Sequence, residues 1–239
     1  MAQAFDRLVA QSLDGTASVY CYEDSAVHTF RAAARIGVMR YYELPIVYWQ
    51  TAQKLLRQEA ERYPEWEPTL LATRDSDAKL ERKSCELQLA AMKLLNRADV
   101  ELIVLGTPLL PLAFYQRDYP GFVYEAVRPH RAVRQLMLTC DVLVLPSIVE
   151  GRAMVQMEAL SCGLPIIVTP NAGAEDLIEQ QRTGFLVPIR APERLAEIIG
   201  WIADHPEWVD DVRPAVLEKA RQSGWDRYTR KILAAVCRL

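Results

Sequence analysis

The sequence predicts an α/β fold built around parallel sheets. Two observations support this prediction: short apolar runs alternate with amphipathic segments of helical spacing, and 51% of the 239 residues are apolar. A strand, a helix and a second strand in succession are typical of a unit whose two strands pair in parallel. A chain of this length has room for one large or two small domains and for a substantial core.

The first ninety residues contain one such strand, helix and strand unit. Ser25 is a suitable N-cap for the helix, and Gly37 is a suitable stop signal. The predicted elements are, in order, a helix over 4–13, a strand over 17–22, a helix over 25–36, a strand over 38–44, a long amphipathic helix over 46–63, a break at 64–68 and a charged helix over 77–97.

Further buried strands follow in the second half of the chain. Their short, continuous apolar runs are typical of strands covered on both faces of a sheet. They are predicted over 100–105, 141–145 and 163–169.

Two glutamates follow the strand over 141–145. A short turn delivers Glu150 and Gly151 just before an amphipathic helix that carries Glu158. Eight residues are about two helical turns, so both carboxylates can lie on one side of this segment. Ligands of open α/β sheets bind beyond the carboxyl ends of the strands, where helix N-termini offer unpaired N–H groups to phosphates. The pattern therefore indicates a nucleotide-sugar site.

Each glutamate taken alone also has a simpler interpretation. Glu150 can be a partner of the helix dipole, and Glu158 can be a solvated surface charge. The whole run from Leu145 to Pro165 favours the site, because it resembles the signature of the retaining glycosyltransferases of family 4, the glycosyl transferases group 1 domain of the GT-B fold. In that signature two glutamates separated by seven residues bind the donor. The resemblance also includes residues 129–147 upstream, and residues 163–178 and 183–188 downstream.

The resemblance implies a nucleoside-diphosphate sugar as donor, with no cofactor and no metal. It implies that Glu150 is the catalytic glutamate against the donor sugar and that Glu158 binds the ribose. Gly173 belongs to the loop that closes over the donor. Arg152 stands where many relatives carry a bulky apolar residue, and its guanidinium either meets phosphate or faces solvent. The loop whose backbone amides would meet the diphosphate consists of Gly151, Arg152, Ala153, Met154 and Val155.

Residues 1–90 resemble part of the acceptor-side domain of the same family. Tyr22 and Glu43, at the ends of the first two strands, are the acceptor-side candidates. Relatives often place histidines at these points. Since a glutamate cannot act as a neutral imidazole, we expect Glu43 to make a structural or acceptor contact. Trp49 and Trp66 either form a sugar-stacking surface or pack in the core.

The expected architecture is GT-B-like, with two Rossmann-like parallel-sheet domains that are both incomplete. We assign residues 1–90 to a partial acceptor-side domain, 91–222 to the donor domain, and 223–239 to a helix that packs back on the first domain. Two complete domains need about 300 residues, at about 150 each. A junction near Ala90 and Ala91 is expected to omit the first donor-side strand, together with the Arg and Lys that clamp the diphosphate in relatives.

Such an omission has two expected consequences. An exposed sheet edge favours self-association or marginal stability. Loss of the basic side chains impairs transfer, because the leaving diphosphate has to be neutralised. No glycine lies between Gly37 and Gly106 to form a phosphate-binding turn in this stretch.

Charge and cysteine usage exclude several other classes. The formal charge of −3 without a basic run argues against nucleic acid as a partner. Five widely spaced cysteines without a C-x-x-C pair argue against a zinc site or a disulfide framework. No segment approaches the roughly 18 apolar residues of a membrane span, and no leader is evident, so a cytoplasmic protein is expected.

The sequence leaves three functions open. The first is a retaining glycosyltransferase acting on an unidentified acceptor, impaired by the shortened chain. The second is a non-catalytic nucleotide-sugar-binding or scaffold protein of the same fold. An epimerase on the same architecture is weaker, since the run around Glu150 and Glu158 resembles transferases more closely.

Overall fold

The computed structural model describes residues 2–22, 25–44, 47–70 and 85–237. The chain divides into two compact units, of which the first contains residues 1–48 and 224–239 and the second contains residues 49–223. This division lies more than forty residues before the boundary expected at residue 90.

The first unit contains a two-stranded parallel sheet, as the alternation of elements predicts. Strand β1 pairs with strand β2 so that Tyr20 lies opposite Tyr41 and Tyr22 lies opposite Glu43. The elements of this unit are helix α1 (Ala2–Ala10), strand β1 (Ser18–Tyr22), helix α2 (Val27–Arg35), strand β2 (Met39–Glu43) and helix α11 (Trp225–Val236).

Helix α2 is capped by a residue of another helix. Ser25, which was predicted to be its N-cap, does not have this role. The N-cap residue is Ala26, which offers no side-chain cap. The buried carboxylate of Asp6 on α1 instead accepts hydrogen bonds from the backbone N–H groups of His28 at 2.7 Å and Thr29 at 2.9 Å. Burial opposes ionisation of Asp6, but these hydrogen bonds outweigh it and lower the pKa of the carboxyl.

The two faces of β1 differ sharply in burial. Val19 and Cys21 are buried, and Val19 packs with Leu13 and Ala33 in a small apolar cluster. Tyr20 and Tyr22 point to the opposite face, because successive side chains of a strand alternate, and both are exposed.

The second unit carries the remaining strands and most of the helices. Its elements are α3 (Trp49–Arg62), a 3-10 turn (Pro64–Trp66), α4 (Glu67–Leu70), α5 (Cys85–Leu95), β3 (Ile103–Leu105), α6 (Leu112–Asp118), β4 (Val123–Glu125), α7 (His130–Met137), β5 (Leu143–Leu145), α8 (Met154–Ser161), β6 (Ile166–Val168), a 3-10 turn (Pro170–Ala172), β7 (Gly184–Leu186), α9 (Pro192–Asp204) and α10 (Glu207–Gln222).

These strands form two parallel sheets. Strand β3 pairs with β4, and β6 lies between β5 and β7. Within the described ranges no strand joins β3 to β5. At β5, the side-chain Nε2 of Gln88 on α5 donates to the Val144 carbonyl at 2.8 Å.

Strand β6 is the centre of the second unit's core. Ile166, Ile167 and Val168 are all 0% exposed. Ile166 and Val168 pack into a cluster with residues of α8 and α10, whereas Ile167 packs into a cluster with residues of α5 and α9. Coverage of both faces explains why this strand is a continuous apolar run rather than an alternating one.

Side chains between residues 49 and 70 explain why this stretch belongs to the second unit. Glu59 on α3 is fully buried and accepts a hydrogen bond from Nε of Arg190, which precedes α9. Trp66 is 3% exposed and packs edge-on against Phe114 and Tyr115 of α6, with ring centroids 4.9 and 5.7 Å apart. Trp66 is therefore a core residue, and the side chain of Trp49 lies outside the described part of the structure.

Among the described residues, none of the helices combines the length and the apolar character needed to cross a membrane.

Candidate functional site

Two loops meet at the carboxyl edge of the β5-β6-β7 sheet. The first follows β5 and leads into α8, and the second follows β6 and includes the 3-10 turn. Side chains of the second loop and of α8 connect the two segments by donating hydrogen bonds to backbone carbonyls. The three hydrogen bonds are Thr169 Oγ1 to the Ser147 carbonyl at 2.5 Å, Asn171 Nδ2 to the Ile148 carbonyl at 2.7 Å, and Gln156 Nε2 to the Ala172 carbonyl at 2.6 Å.

Gly173 brings the backbones of these loops into direct contact. Its φ of 65° lies in the left-handed region, and a Cβ atom built on it would lie 2.5 Å from the Gly151 carbonyl oxygen. Any side chain at this position would collide with the first loop. The structure thus gives a physical reason for glycine at position 173, and it brings Gly173 and Gly151, which were predicted separately as parts of the donor site, into contact.

Glu150 is the half-buried residue at the tip of the first loop. Its Oε1 accepts a hydrogen bond from the backbone N–H of Gly151 at 3.0 Å. Gly151 itself is buried. The carboxylate therefore turns back toward the loop amides that were predicted to meet a diphosphate.

Glu158 lies in the second turn of α8, as predicted. Its side chain is 37% exposed, and Oε1 lies 3.4 Å from Nδ1 of His130, the first residue of α7. This contact becomes an ion pair when the imidazole is protonated. The His130 side chain is 94% exposed, so it leaves the rim of the site open to solvent.

Arg152 pairs with Asp176 across the two loops. The guanidinium donates from Nη1 to Oδ1 at 2.8 Å and from Nη2 to Oδ2 at 3.2 Å. Both side chains are exposed, at 42% for Arg152 and 60% for Asp176. An exposed pair of this kind stabilises a fold by roughly 0–1 kcal/mol, so its exchange for another anion costs little.

The remaining loop residues form the beginning of α8. Ala153 is the N-cap residue and is buried, and it supplies no side-chain cap. The first N–H groups of the helix are therefore not satisfied by an N-cap side chain, which is the arrangement that favours an anion at a helix N-terminus. Met154 is 49% exposed, whereas Val155 packs against the core.

Gln156 is a contributor that sequence reasoning missed. Its side chain is fully buried; the amide nitrogen bonds to Ala172, and Oε1 makes no hydrogen bond to any described residue. A glutamine within an otherwise apolar stretch of a buried helix is a usable signal, because buried polar side chains normally have a specific partner.

The two acceptor-side candidates belong to the first unit, where they are neighbours. Tyr22 and Glu43 lie opposite each other at the carboxyl ends of β1 and β2. Tyr228 of α11 donates its phenolic hydrogen to Glu43, and its oxygen lies 3.2 Å from that of Tyr20. Burial and the Glu43 carboxylate raise the pKa of Tyr228 to about 12. Packing of the C-terminal helix on the first domain was expected, but the pairing of Tyr228 with Glu43, 185 positions away, was not predicted.

No cluster of three or more His, Cys, Asp or Glu side chains among the described residues could hold a metal ion.

The family is shown by the sequence itself. The family model for glycosyl transferases group 1 matches residues 67–205, which is more than half of the chain. The chain therefore belongs to the glycosyl transferases group 1 family. The matched range contains both loops of the candidate site.

Curated relatives cover different shares of the chain. It is 33% identical over 109 residues to the D-inositol 3-phosphate glycosyltransferase of Streptomyces griseus, a match covering 44% of this chain and 23% of that protein. The enzyme of the same name from Jonesia denitrificans is 29% identical over 150 residues, or 58% of this chain and 35% of that protein. These matches span between about a quarter and a third of the relatives' own length.

Solved structures confirm the α/β, GT-B-like fold class. A glycosyltransferase from Rickettsia africae has a TM-score of 0.68 at 13% identity, with 98% of this chain and 80% of that chain covered. HepE from Anabaena, in complex with UDP-glucose, has a TM-score of 0.55 at 16% identity, with 99% and 69% covered.

The range matched by the family model includes the expected junction near Ala90 and Ala91. The family match begins at Glu67, so residues 67–90, which were assigned to the acceptor side, lie within the matched range. The domain boundary expected at residue 90 therefore disagrees both with this match and with the division of the chain at residue 48.

Proposed function

We propose that the chain is a retaining glycosyltransferase of family 4 that takes its sugar from a nucleoside-diphosphate sugar. Family membership supports the transferase class, and the signature run around Glu150 and Glu158 supports retention and a nucleotide-sugar donor. The acceptor is a hydroxyl compound bound on the side of the first unit, where Tyr22 and Glu43 are the candidates.

One observation carries the proposal: the two loops are locked together at the carboxyl edge of a parallel sheet, directly ahead of a helix without a side-chain cap. This is where ligands of open α/β sheets bind. The absence of a side chain at Gly173 lets the second loop pack directly on the Gly151 carbonyl, which supports the loop whose amides are the candidates for binding a diphosphate.

The two glutamates have separate roles in this proposal. Glu150 lies against the donor sugar, where its negative charge stabilises the positive character that develops at the anomeric carbon. Glu158 accepts hydrogen bonds from the two hydroxyls of the ribose, as acidic residues in other dinucleotide folds do.

The diphosphate requires positive countercharge as it leaves. The backbone amides of residues 151–155 and the Arg152 guanidinium supply part of it. Residues 71–84 lie outside the described structure but within the matched family range, and they contain Arg74, Lys79, Arg82 and Lys83. We include Arg74 and Lys79 as candidates for the basic pair that the family resemblance implies, in place of the expectation that this pair has been lost.

A second function, a non-catalytic nucleotide-sugar-binding protein, is favoured by one observation. The Arg152 guanidinium is held by Asp176, so in this state it is not available to phosphate. Donor recognition through Glu158 and the loop amides would survive in such a protein, while turnover would not.

The test is to measure nucleotide binding and donor cleavage on the same samples. The protein is titrated with UDP, GDP and ADP, and nucleotide release is then followed from UDP-glucose, GDP-mannose and ADP-glucose. We expect Glu150→Gln to keep the nucleotide affinity of the parent and to lower cleavage by roughly 100-fold or more, since the charge acts on the transition state. Glu101→Gln, at an exposed glutamate outside both loops, is the matched control.

The outcomes separate the two functions. Cleavage that is strongly lowered in Glu150→Gln but preserved in Glu101→Gln supports the transferase. An unchanged anomeric configuration in the product supports retention. Nucleotide binding by the parent without any donor cleavage supports the binding protein instead.

A further inference from the structure

The face of the first unit's sheet that lies opposite its small core is unusually rich in hydroxyl-bearing aromatic side chains. Alternation along the two parallel strands, together with their register, places six side chains on this face. They are Ser18, Tyr20 and Tyr22 of β1 and Met39, Tyr41 and Glu43 of β2. The six include one carboxylate and no lysine, arginine or histidine.

Several aromatic rings at this face are open to solvent. Tyr22 is 54% exposed and Tyr20 is 36% exposed. At the start of α11, Trp225 is 68% exposed and lies edge-on to Tyr228, with ring centroids 5.6 Å apart. Large aromatic surfaces are costly to leave in water, so a group of them on one face indicates a ligand-binding surface.

A chain of hydrogen bonds fixes the polar part of the same face. The Tyr20 and Tyr228 hydroxyls lie 3.2 Å apart, and Tyr228 donates its own hydrogen to Glu43. Tyr228 is a hydrogen donor at neutral pH, since a phenol is protonated there even at its ordinary pKa of about 10 and the pKa of Tyr228 is higher still. Tyr41 donates to the carbonyl of Val236 at 3.4 Å, which ties α11 to β2. Glu43 is thus held at a fixed position next to exposed rings.

We propose that this face binds a neutral saccharide. An aromatic ring stacks on the apolar C–H face of a pyranose, and a carboxylate accepts hydrogen bonds from adjacent sugar hydroxyls. The carboxylate without a basic residue beside it on the strands disfavours a phosphorylated or otherwise anionic ligand. Tyr22 and Trp225 supply the stacking surface, and Glu43 supplies the acceptor for hydroxyls.

This inference rests on the proposed function, which places the acceptor at Tyr22 and Glu43, and it deepens that function by naming the chemical class of the acceptor. The saccharide-binding experiment uses no donor, so its result can be interpreted even if the donor-site proposal is wrong.

The experiment is saturation-transfer difference NMR on the full chain. The probes are the methyl α-pyranosides of glucose, mannose and galactose, with glucose 6-phosphate as the anionic comparison. We expect at least one methyl pyranoside to receive saturation and glucose 6-phosphate to receive much less. Tyr22→Ala should weaken binding by about fivefold or more, as loss of a stacked ring does, and Glu43→Gln should weaken it as well.

The matched control is Tyr42→Ala. Tyr42 lies next to Glu43 in sequence and is 51% exposed, but its ring is on the opposite face and packs edge-on against Phe30. We expect this variant to bind like the parent, with thermal unfolding recorded for each protein to show that it is folded.

Three results would overturn the proposal. The first is absence of saturation transfer to all three methyl pyranosides, and the second is an equal loss of binding in Tyr22→Ala and Tyr42→Ala. The third is a self-associated parent that Tyr22→Ala converts to monomer in sedimentation, which would assign the face to a contact between two copies of this chain.

Discussion

Gly173 lies against the carbonyl group of Gly151, so that a Cβ atom at position 173 would stand 2.5 Å from that oxygen and 3.2 Å from the Cα of Arg152. Real Cβ atoms do not approach a carbonyl oxygen this closely. The contact fixes the spacing between the loops that follow β5 and β6, and it makes this spacing sensitive to a single methyl group.

We expect Gly173→Ala to lower both nucleotide affinity and stability. The matched control is Gly37→Ala, since Gly37 has a comparable φ of 72° and nothing within 4 Å of a built Cβ atom. Both variants pay the left-handed penalty of about 1–2 kcal/mol, but only Gly173→Ala also displaces a loop. Calorimetric titration with nucleoside diphosphates and urea unfolding measure the two effects. Equal behaviour of the two variants would show that the loop contact is unimportant.

Arg152 is predicted to exchange Asp176 for phosphate when a nucleotide binds. Arg152→Ala should then weaken nucleoside-diphosphate binding by roughly tenfold, as expected for loss of a charge-assisted hydrogen bond of about 1.5–3 kcal/mol. Asp176→Asn should preserve or raise the affinity, because it releases the guanidinium. Arg182→Ala is the control, since Arg182 is also exposed and ion-paired, with Glu179 at 2.7 Å. An Arg152→Ala variant that binds like this control would identify Arg152 as a solvent-facing charge.

The Asp6 cap predicts a specific acid sensitivity. Asp6 has a lowered pKa in the folded state, so its stabilisation is present above the unfolded pKa of about 4 and is lost as the pH falls through the lower folded value. Asp6→Ala should cost about 1 kcal/mol at neutral pH and less below pH 4. Urea unfolding across this pH range measures it, with Asp14→Ala, an exposed aspartate, as the control. The same loss at every pH would exclude the carboxylate as the cause.

Gln88 is predicted to protect strand β5. Its side chain satisfies the Val144 carbonyl, so Gln88→Ala would leave this acceptor without its donor, at a cost of about 1–3 kcal/mol. Because unpaired strand edges promote association, light scattering should also increase. Gln53→Ala, at an exposed position of α3, should change neither quantity. Self-association of the parent chain stays a prediction that the same scattering measurement tests.

Local patterns predicted much of the fold correctly. The strand, helix and strand order of the first unit and the segment from β5 through α8 follow from apolar runs, turn residues and helical spacing, all of which act within a few residues. Glu158 lies on α8, and Gly151 and Gly173 lie in the loops expected to surround a donor.

Long-range contacts explain what the sequence could not reveal. The cap on α2 comes from Asp6 on another helix rather than from Ser25, and Tyr228 reaches Glu43 from the far end of the chain. The division into compact units after residue 48 differs from the boundary expected at residue 90, and the buried contact between Glu59 and Arg190 explains why α3 belongs to the second unit. Such pairs depend on tertiary packing, which no periodicity in a single segment encodes.

The central claim is that the loops after β5 and β6 hold a nucleoside diphosphate with Glu158 on its ribose, and calorimetric titration of the parent chain and Glu158→Ala tests it most directly. We expect the parent to bind at least one of UDP, GDP and ADP. Glu158→Ala should bind it at least roughly tenfold more weakly, because charge-assisted hydrogen bonds of about 1.5–3 kcal/mol each are lost. His130→Ala, which removes the side chain beside Glu158 but not the carboxylate, should bind nearly as well as the parent. A parent that binds none of the three nucleotides, or a Glu158→Ala variant with unchanged affinity, would contradict the account.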